Sequence, residues 1–153
     1  MKNEGMKTLV FNIGDIIFAS DAMKVERILE ATNITKIPES PCFVEGFMDY
    51  NGKALPIISL PKRFNMEMNS DNFQQKVIVL LNDICKVGIL VDEVMAVMDT
   101  NKLDIEVPAK EVSGVSKRYI EGLFKYNDSH AILIDLDLIL IDEEREELIK
   151  AKE

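Results

Sequence analysis

The chain repeats itself, and that limits its architecture more than any other feature. Residues 43–60, FVEGFMDYNGKALPIISL, return at 119–136 as YIEGLFKYNDSHAILIDL, a constant 76 positions on. Glu45, Gly46, Tyr50, Asn51, Ile58 and Leu60 are identical to Glu121, Gly122, Tyr126, Asn127, Ile134 and Leu136, and most other pairs exchange one apolar residue for another. Each copy reads as a β-hairpin, because Asn51-Gly52 and Asn127-Asp128 are residue types that accept positive φ in a two-residue turn between apolar strands. A fainter echo precedes each hairpin: DIIFASDAMKVERILEATNITKIP (15–38) aligns with DICKVGILVDEVMAVMDTNKLDIEVP (83–108) when two residues of slack are allowed. Two similar β units in tandem follow from this pattern.

Local signals fill in the remainder. Leu9 to Ile13 and Ile16 to Ala19 are short strands around a Gly14-Asp15 turn. Ser20 or Asp21 can cap a short helix with Ala22, Val25, Ile28 and Leu29 on one side and Lys24, Glu26, Arg27 and Glu30 on the other. Pro38 and Pro41 stop the next extended segment, and Pro61 ends the first repeated hairpin before a polar stretch, Asn65 to Gln75, that divides the two units. Lys76 to Leu81 and Val87 to Val91 read as strands joined by a turn at Asn82 to Lys86, Met95 to Asp99 as extended or briefly helical, and Val107 to Lys117 as a loop. Asp137 or Asp142 can open a terminal helix whose acids oppose the positive end of its dipole. Short strands at close spacing, punctuated by Gly, Asn, Asp and Pro, indicate an all-β barrel or sandwich, and the repeat makes it two small barrels.

Composition narrows the function by exclusion. With 47% hydrophobic residues in 153, a core can form without metals or disulfides. A net charge of -9 and no basic, aromatic-studded face argue against nucleic acid as a partner, and so against an oligonucleotide-binding barrel. The longest purely apolar run, Val77 to Leu81, is too short to span a membrane, and Met1 to Lys7 lacks a signal-peptide pattern, so a cytoplasmic protein is expected. Cys42 and Cys85, far apart and outside any CxxC pattern, fit that compartment as reduced thiols.

Catalytic chemistry is not visible. His130 is the sole histidine, with no nucleophile and activating partner nearby in sequence, and it reads as an outward-facing strand residue. Asp92 and Glu93 are adjacent, so on a strand they point to opposite faces; they read as charged loop residues. No phosphate-cradling glycine loop occurs, and Asp135 and Asp137 lack the glycine and terminal glutamate of a calcium loop. No metal and no cofactor is expected. A small enzyme with a site near His130 or Asp92 is the rival from another class, and it needs a deep polar pocket there.

LVFNIGDIIFASDAMKVERIL from Leu9, ITKIPESPCFVEGFMDYNGKALPIISLPKRF from Ile34, then VGILVDEVMAV and YIEGLFKYNDSHAILIDLDLIL, in this order and spacing, resemble the CheW family of bacterial chemotaxis coupling proteins along nearly the whole chain. The resemblance implies a mainly β fold of two pseudo-symmetric five-stranded SH3-like barrels, with a short helix after the first hairpin and a C-terminal helix. Residues 1–153 then form one CheW-like domain: about 7–64 the first barrel with the short helix, about 76–136 the second, and 137–153 a helix packing back on the domain.

It also implies a non-enzymatic adaptor that joins the cytoplasmic tips of chemoreceptors to the regulatory domain of a CheA-type histidine kinase. Such a protein is monomeric when isolated, is not inserted in the membrane, and is recruited to receptor arrays through its partners. Carried over residue by residue, the receptor-binding set is Val25, Arg27, Ile28, Leu29 and Asn51, and the kinase-binding set is Ile34, Glu111 and Val112. Two departures stand out. The family commonly has NLRG where this chain has DYNG, so Asn51 stands for an arginine, and Arg27 stands where Glu is frequent. If the two compensate, one cation is kept beside the receptor groove. The Asn51 departure also admits a CheW-like scaffold for a receptor and kinase system outside chemotaxis.

Overall fold

The computed structural model describes residues 5–36, 44–63, 75–81, 86–108, 115 and 119–138. Ten strands follow one another: β1 (Gly5–Ile13), β2 (Ile16–Asp21), β3 (Val25–Glu30), β4 (Val44–Tyr50), β5 (Lys53–Ser59), β6 (Lys76–Leu80), β7 (Gly88–Val91), β8 (Glu93–Asn101), β9 (Ile120–Tyr126) and β10 (Ser129–Ile134). Among the described residues, the helical segments are single turns: α1 (Leu60–Arg63) and 3-10 turns at Ala22–Lys24, Lys102–Asp104 and Leu136–Leu138.

The strands form two five-stranded sheets, ordered β8-β1-β2-β10-β9 and β3-β6-β7-β5-β4. Exchanging the first five strands for the last five converts one order into the other. Each sheet thus takes two strands from one half of the chain and three from the other, so hydrogen bonding crosses the 65–75 stretch in both sheets. The parallel pairs are equivalent too, with Leu133 beside Ala19 in one sheet and Ile57 beside Gly88 in the other. Both interlocking pairs bind the N-terminal and C-terminal halves into one body.

Turn chemistry works as the sequence indicates at the first repeated hairpin, where Asn51 (φ 52°) and Gly52 (φ 82°) both lie in the left-handed region. At the second, Asn127 (φ 53°) alone takes it. The paired glycines of the repeat have a different use. Behind each, a segment crosses to the edge of the sheet and makes a two-bond bridge, Thr35 with Phe47 and Glu106 with Leu123, at 2.7–2.8 Å. A Cβ on Gly46 would stand 2.5 Å from the Thr35 carbonyl oxygen, and one on Gly122 2.2 Å from Ile105 Cγ2. Only hydrogen fits there.

Of the expected pair of five-stranded SH3-like barrels, the ladders form two five-stranded sheets, neither of them closed. In each, the segment following one edge strand reaches the other edge through that single bridge. Three apolar clusters result. Val10, Ala19, Phe124, Ala131 and Leu133 fill one sheet's concave side, and Leu55, Ile57, Val77, Val79 and Leu90 fill the other's. The largest cluster lies between them, with Leu9, Phe11 and Phe18 from one sheet against Ile58, Ile78 and Ile89 from the other. Strands buried on both faces read as unbroken apolar runs, as Val77 to Leu80 does, whereas the edge strand β8 alternates exposed and half-buried residues along most of its length.

The expected short helix after the first hairpin is a correction. Asp21 caps only the 3-10 turn Ala22–Lys24, its Oδ1 accepting from the Met23 amide at 2.9 Å, and Val25–Glu30 then runs as strand β3. Pairing with β6, from Val25 opposite Leu80 to Glu30 opposite Lys76, decides the matter. A six-residue helix gains too few internal bonds to compete with a ladder on an apolar sheet. The C-terminal helix expected over 137–153 lies outside the described residues beyond Leu138, where Leu136–Leu138 form a 3-10 turn. Among the described residues no helix is long and apolar enough to cross a membrane.

Candidate partner-binding edge

Strand β3 is an edge strand, paired with β6 alone among named strands, and the chain reaches it through a pinned crossover. The Lys24 carbonyl accepts from the Leu81 amide at 2.8 Å, and Lys24 Nζ donates to Asp137 Oδ2 at 2.7 Å with Asp135 Oδ1 at 3.6 Å. The hydrogen bond from Lys24 to Asp137 is the main reason the lysine titrates above its ordinary value, against a smaller opposing effect of burial. The entry to β3 is thereby tied to the end of β10 in the other sheet.

Within β3 a bulge changes which way side chains point. Val25 pairs with Leu80 and Arg27 with Val79, leaving Glu26 without a cross-strand partner position. The Glu26 carboxylate accepts from the Tyr50 hydroxyl at 2.6 Å on Oε2 and from Lys86 Nζ on Oε1. The Arg27 guanidinium carbon and Lys86 Nζ each lie 5.9 Å from the Tyr50 ring centroid. Lys86, then Tyr50, hold Glu26 below the usual carboxylate range, and donation to Glu26 pushes Tyr50 up.

Of the expected receptor-binding residues, Arg27, Ile28 (40% exposed) and Asn51 are on the surface. Arg27 overlies the ring of Tyr50, and Asn51 is the next residue in the hairpin turn. Val25 and Leu29 are half-buried and pack inward, Val25 on the cluster between the sheets and Leu29 on the concave cluster. Ile34, expected at the kinase contact, is also half-buried against that concave cluster, beside Gly46. Glu111 and Val112 lie outside the described residues. Sequence reasoning missed Glu26, Tyr50 and Lys86 as a group: Glu26 looked like the solvent side of a helix, and Lys86 lies 60 positions away from it.

The rival catalytic positions have other uses. Asp92 lies in the bend between β7 and β8 but is buried there, and its Oδ2 accepts from the Gly14 amide at 2.6 Å, fixing the β1–β2 turn. Its neighbour's amide, at Glu93, donates to Asn12 Oδ1 at 3.0 Å, so β8 is stitched to the same turn. His130 is exposed opposite Lys125 at the rim of an open cavity of about 480 Å³ shared with Asp99, Asp104 and Glu106. Among the described residues no three His, Cys, Asp or Glu groups converge as metal ligands.

Two β-sheets that exchange strands between the halves of the chain, with charged and apolar residues exposed along the β3 edge, define the architecture. Residues 7–144 match the family described as CheW-like domain, and the chain belongs to that family. It is 25% identical to the chemotaxis protein CheW of Treponema pallidum, over 97% of this chain and 89% of that one. It is 30% identical to the probable chemotaxis protein CheW of Rhizobium etli, over 94% of each. Among solved structures, the scaffolding protein TtCheW of Thermoanaerobacter tengcongensis superposes with a TM-score of 0.81 at 29% identity, over 92% of both chains.

Proposed function

We propose that this chain is a non-enzymatic chemotaxis adaptor that couples the cytoplasmic tips of chemoreceptors to the regulatory domain of a CheA-type histidine kinase. The observation that carries the reading is the β3 edge, where Arg27 and Ile28 stand exposed, with Asn51 exposed at the hairpin turn, in a chain whose relatives are named as chemotaxis proteins. A helical receptor tip offers apolar and charged side chains at helical spacing, which suits a short exposed edge of this composition. Val25 and Leu29 support the strand from beneath.

The kinase domain contacts Ile34 and the segment of Glu111 and Val112. The two open sheets, each brought round by its bridge, act as SH3-like lobes. The protein works in the cytoplasm as a monomer and reaches membrane arrays through its partners. A pull-down with the regulatory domain of a CheA-type kinase, repeated with a receptor-tip fragment, tests this. Capture of both supports the reading, capture of the kinase domain alone favours a receptor system outside chemotaxis, and capture of neither contradicts it.

A further inference from the structure

We propose that Tyr50 is the positioning residue of the β3 edge, and that the Glu26–Tyr50–Lys86 latch leaves Arg27 as a cation reserved for a carboxylate on the partner helix. This rests on the receptor-binding reading above and names the chemistry the receptor must supply. Both oxygens of Glu26 are occupied, one by the Tyr50 hydroxyl and one by Lys86. Glu30, the next carboxylate along the strand, is held by Lys76 at 3.1 Å. Arg27 therefore makes no salt bridge among the described residues, although acids lie on both sides of it in sequence. Its guanidinium instead lies 5.9 Å from the Tyr50 ring centroid, and that ring packs against the concave cluster of its sheet while its hydroxyl is anchored.

A guanidinium placed over a fixed ring loses little further freedom when it meets a carboxylate, and its planar fork suits that group in two-point contact. Ile28, the next residue, pairs with Ile78 and so faces the other side of the sheet, which leaves the acid itself as the feature the partner segment must supply at Arg27. The device belongs to one sheet only. The equivalent edge, β8, has Met95, Ala96 and Val97 where β3 has Glu26, Arg27 and Ile28, and it carries no charge at these positions. A partner that needs the cation is thus directed to β3.

The test titrates a labelled chemoreceptor-tip fragment with the full chain at low and moderate salt. Arg27→Gln should weaken binding about tenfold and flatten its salt dependence. Tyr50→Phe, which keeps the ring and deletes the hydroxyl, should weaken it about three- to fivefold, and Glu26→Gln should reproduce that loss with a smaller change to the side chain. In the Arg27→Gln background neither change should cost anything further. Replacing the tip's acids one at a time by amides should identify one whose loss matters to the wild type and not to Arg27→Gln. Wild-type affinity in Tyr50→Phe and Glu26→Gln, or losses that simply add to that of Arg27→Gln, would overturn the latch while leaving the adaptor reading intact. Failure of the unaltered chain to bind the tip overturns both.

Discussion

Glu26 and Met95 occupy the same bulge in the two halves of the molecule. Val25 and Arg27 pair with Leu80 and Val79 around Glu26, just as Val94 and Ala96 pair with Phe11 and Val10 around Met95. The register places β1 to β3 and β6 to β8 in correspondence 69 positions apart, so the duplication extends from the hairpins to a defect in the ladder. A bulge re-aims the side chain it carries. At one edge that side chain is a carboxylate which gathers Tyr50 and Lys86, and at the other it is a half-exposed thioether. The two lobes share a backbone and differ in what they present.

The close approach behind each repeated glycine predicts paired sensitivity. Gly46→Ala forces a Cβ against the Thr35 carbonyl from a φ of 156°, and should cost about 3 kcal/mol. Gly122→Ala should cost about 2 kcal/mol through Ile105. Gly52→Ala, with open space around it and only its φ of 82° to strain, should cost about 1 kcal/mol. Urea unfolding of the three variants gives the order directly.

Removing the buried Asp92 carboxylate strands the Gly14 amide. Asp92→Ala should lower stability by about 2–3 kcal/mol, and Asp92→Asn by less, because an amide oxygen can still accept. Thermal unfolding distinguishes them, and similar midpoints for Asp92→Ala and the wild type would show that the turn does not depend on this contact.

Glu121 lies on the exposed face of β9, where partial desolvation, then the neighbouring Asp135, raises its carboxyl above its ordinary value against the opposing pull of Lys24. A carboxyl with a raised folded-state value binds more protons folded than unfolded, so its contribution to stability falls as pH climbs from the ordinary glutamate range through the raised one. Glu121→Gln should raise the unfolding midpoint by about 1 °C at neutral pH. Below the ordinary glutamate range it should change nothing. A uniform shift at all pH values would show that the substitution acts through packing instead.

Arg27 overlies the ring of Tyr50, the residue before Asn51, so the two departures from the family pattern should be energetically coupled through that tyrosine. Arg27→Glu should weaken receptor-tip binding about tenfold, and adding Asn51→Arg should restore most of the loss by returning a cation to the hairpin tip. Isothermal titration of the two single variants and the double variant measures the coupling. Effects that add without interaction would count against compensation.

The repeated hairpins were legible because their signal is local: Asn51, Gly52 and Asn127 sit in turns whose backbone only a few residue types tolerate. β3 was not, because Val25, Ile28 and Leu29 satisfy a helical spacing while the deciding interaction, the ladder with β6, comes from about fifty residues away. The same distance hides the exchange of strands between halves, since nothing in a strand names its neighbour. At the binding edge, Arg27, Ile28 and Asn51 could be placed through resemblance to the family. The latch could not, because Glu26, Tyr50 and Lys86 meet only once the sheet curls.

The coupling role requires that both partners be held at once on separate surfaces. Sedimentation velocity of the chain mixed with a kinase regulatory domain and a receptor-tip fragment tests that requirement most directly. A species containing all three is expected, formed also when either partner is added last. Displacement of one partner by the other, with only binary complexes at saturating concentrations, would contradict it.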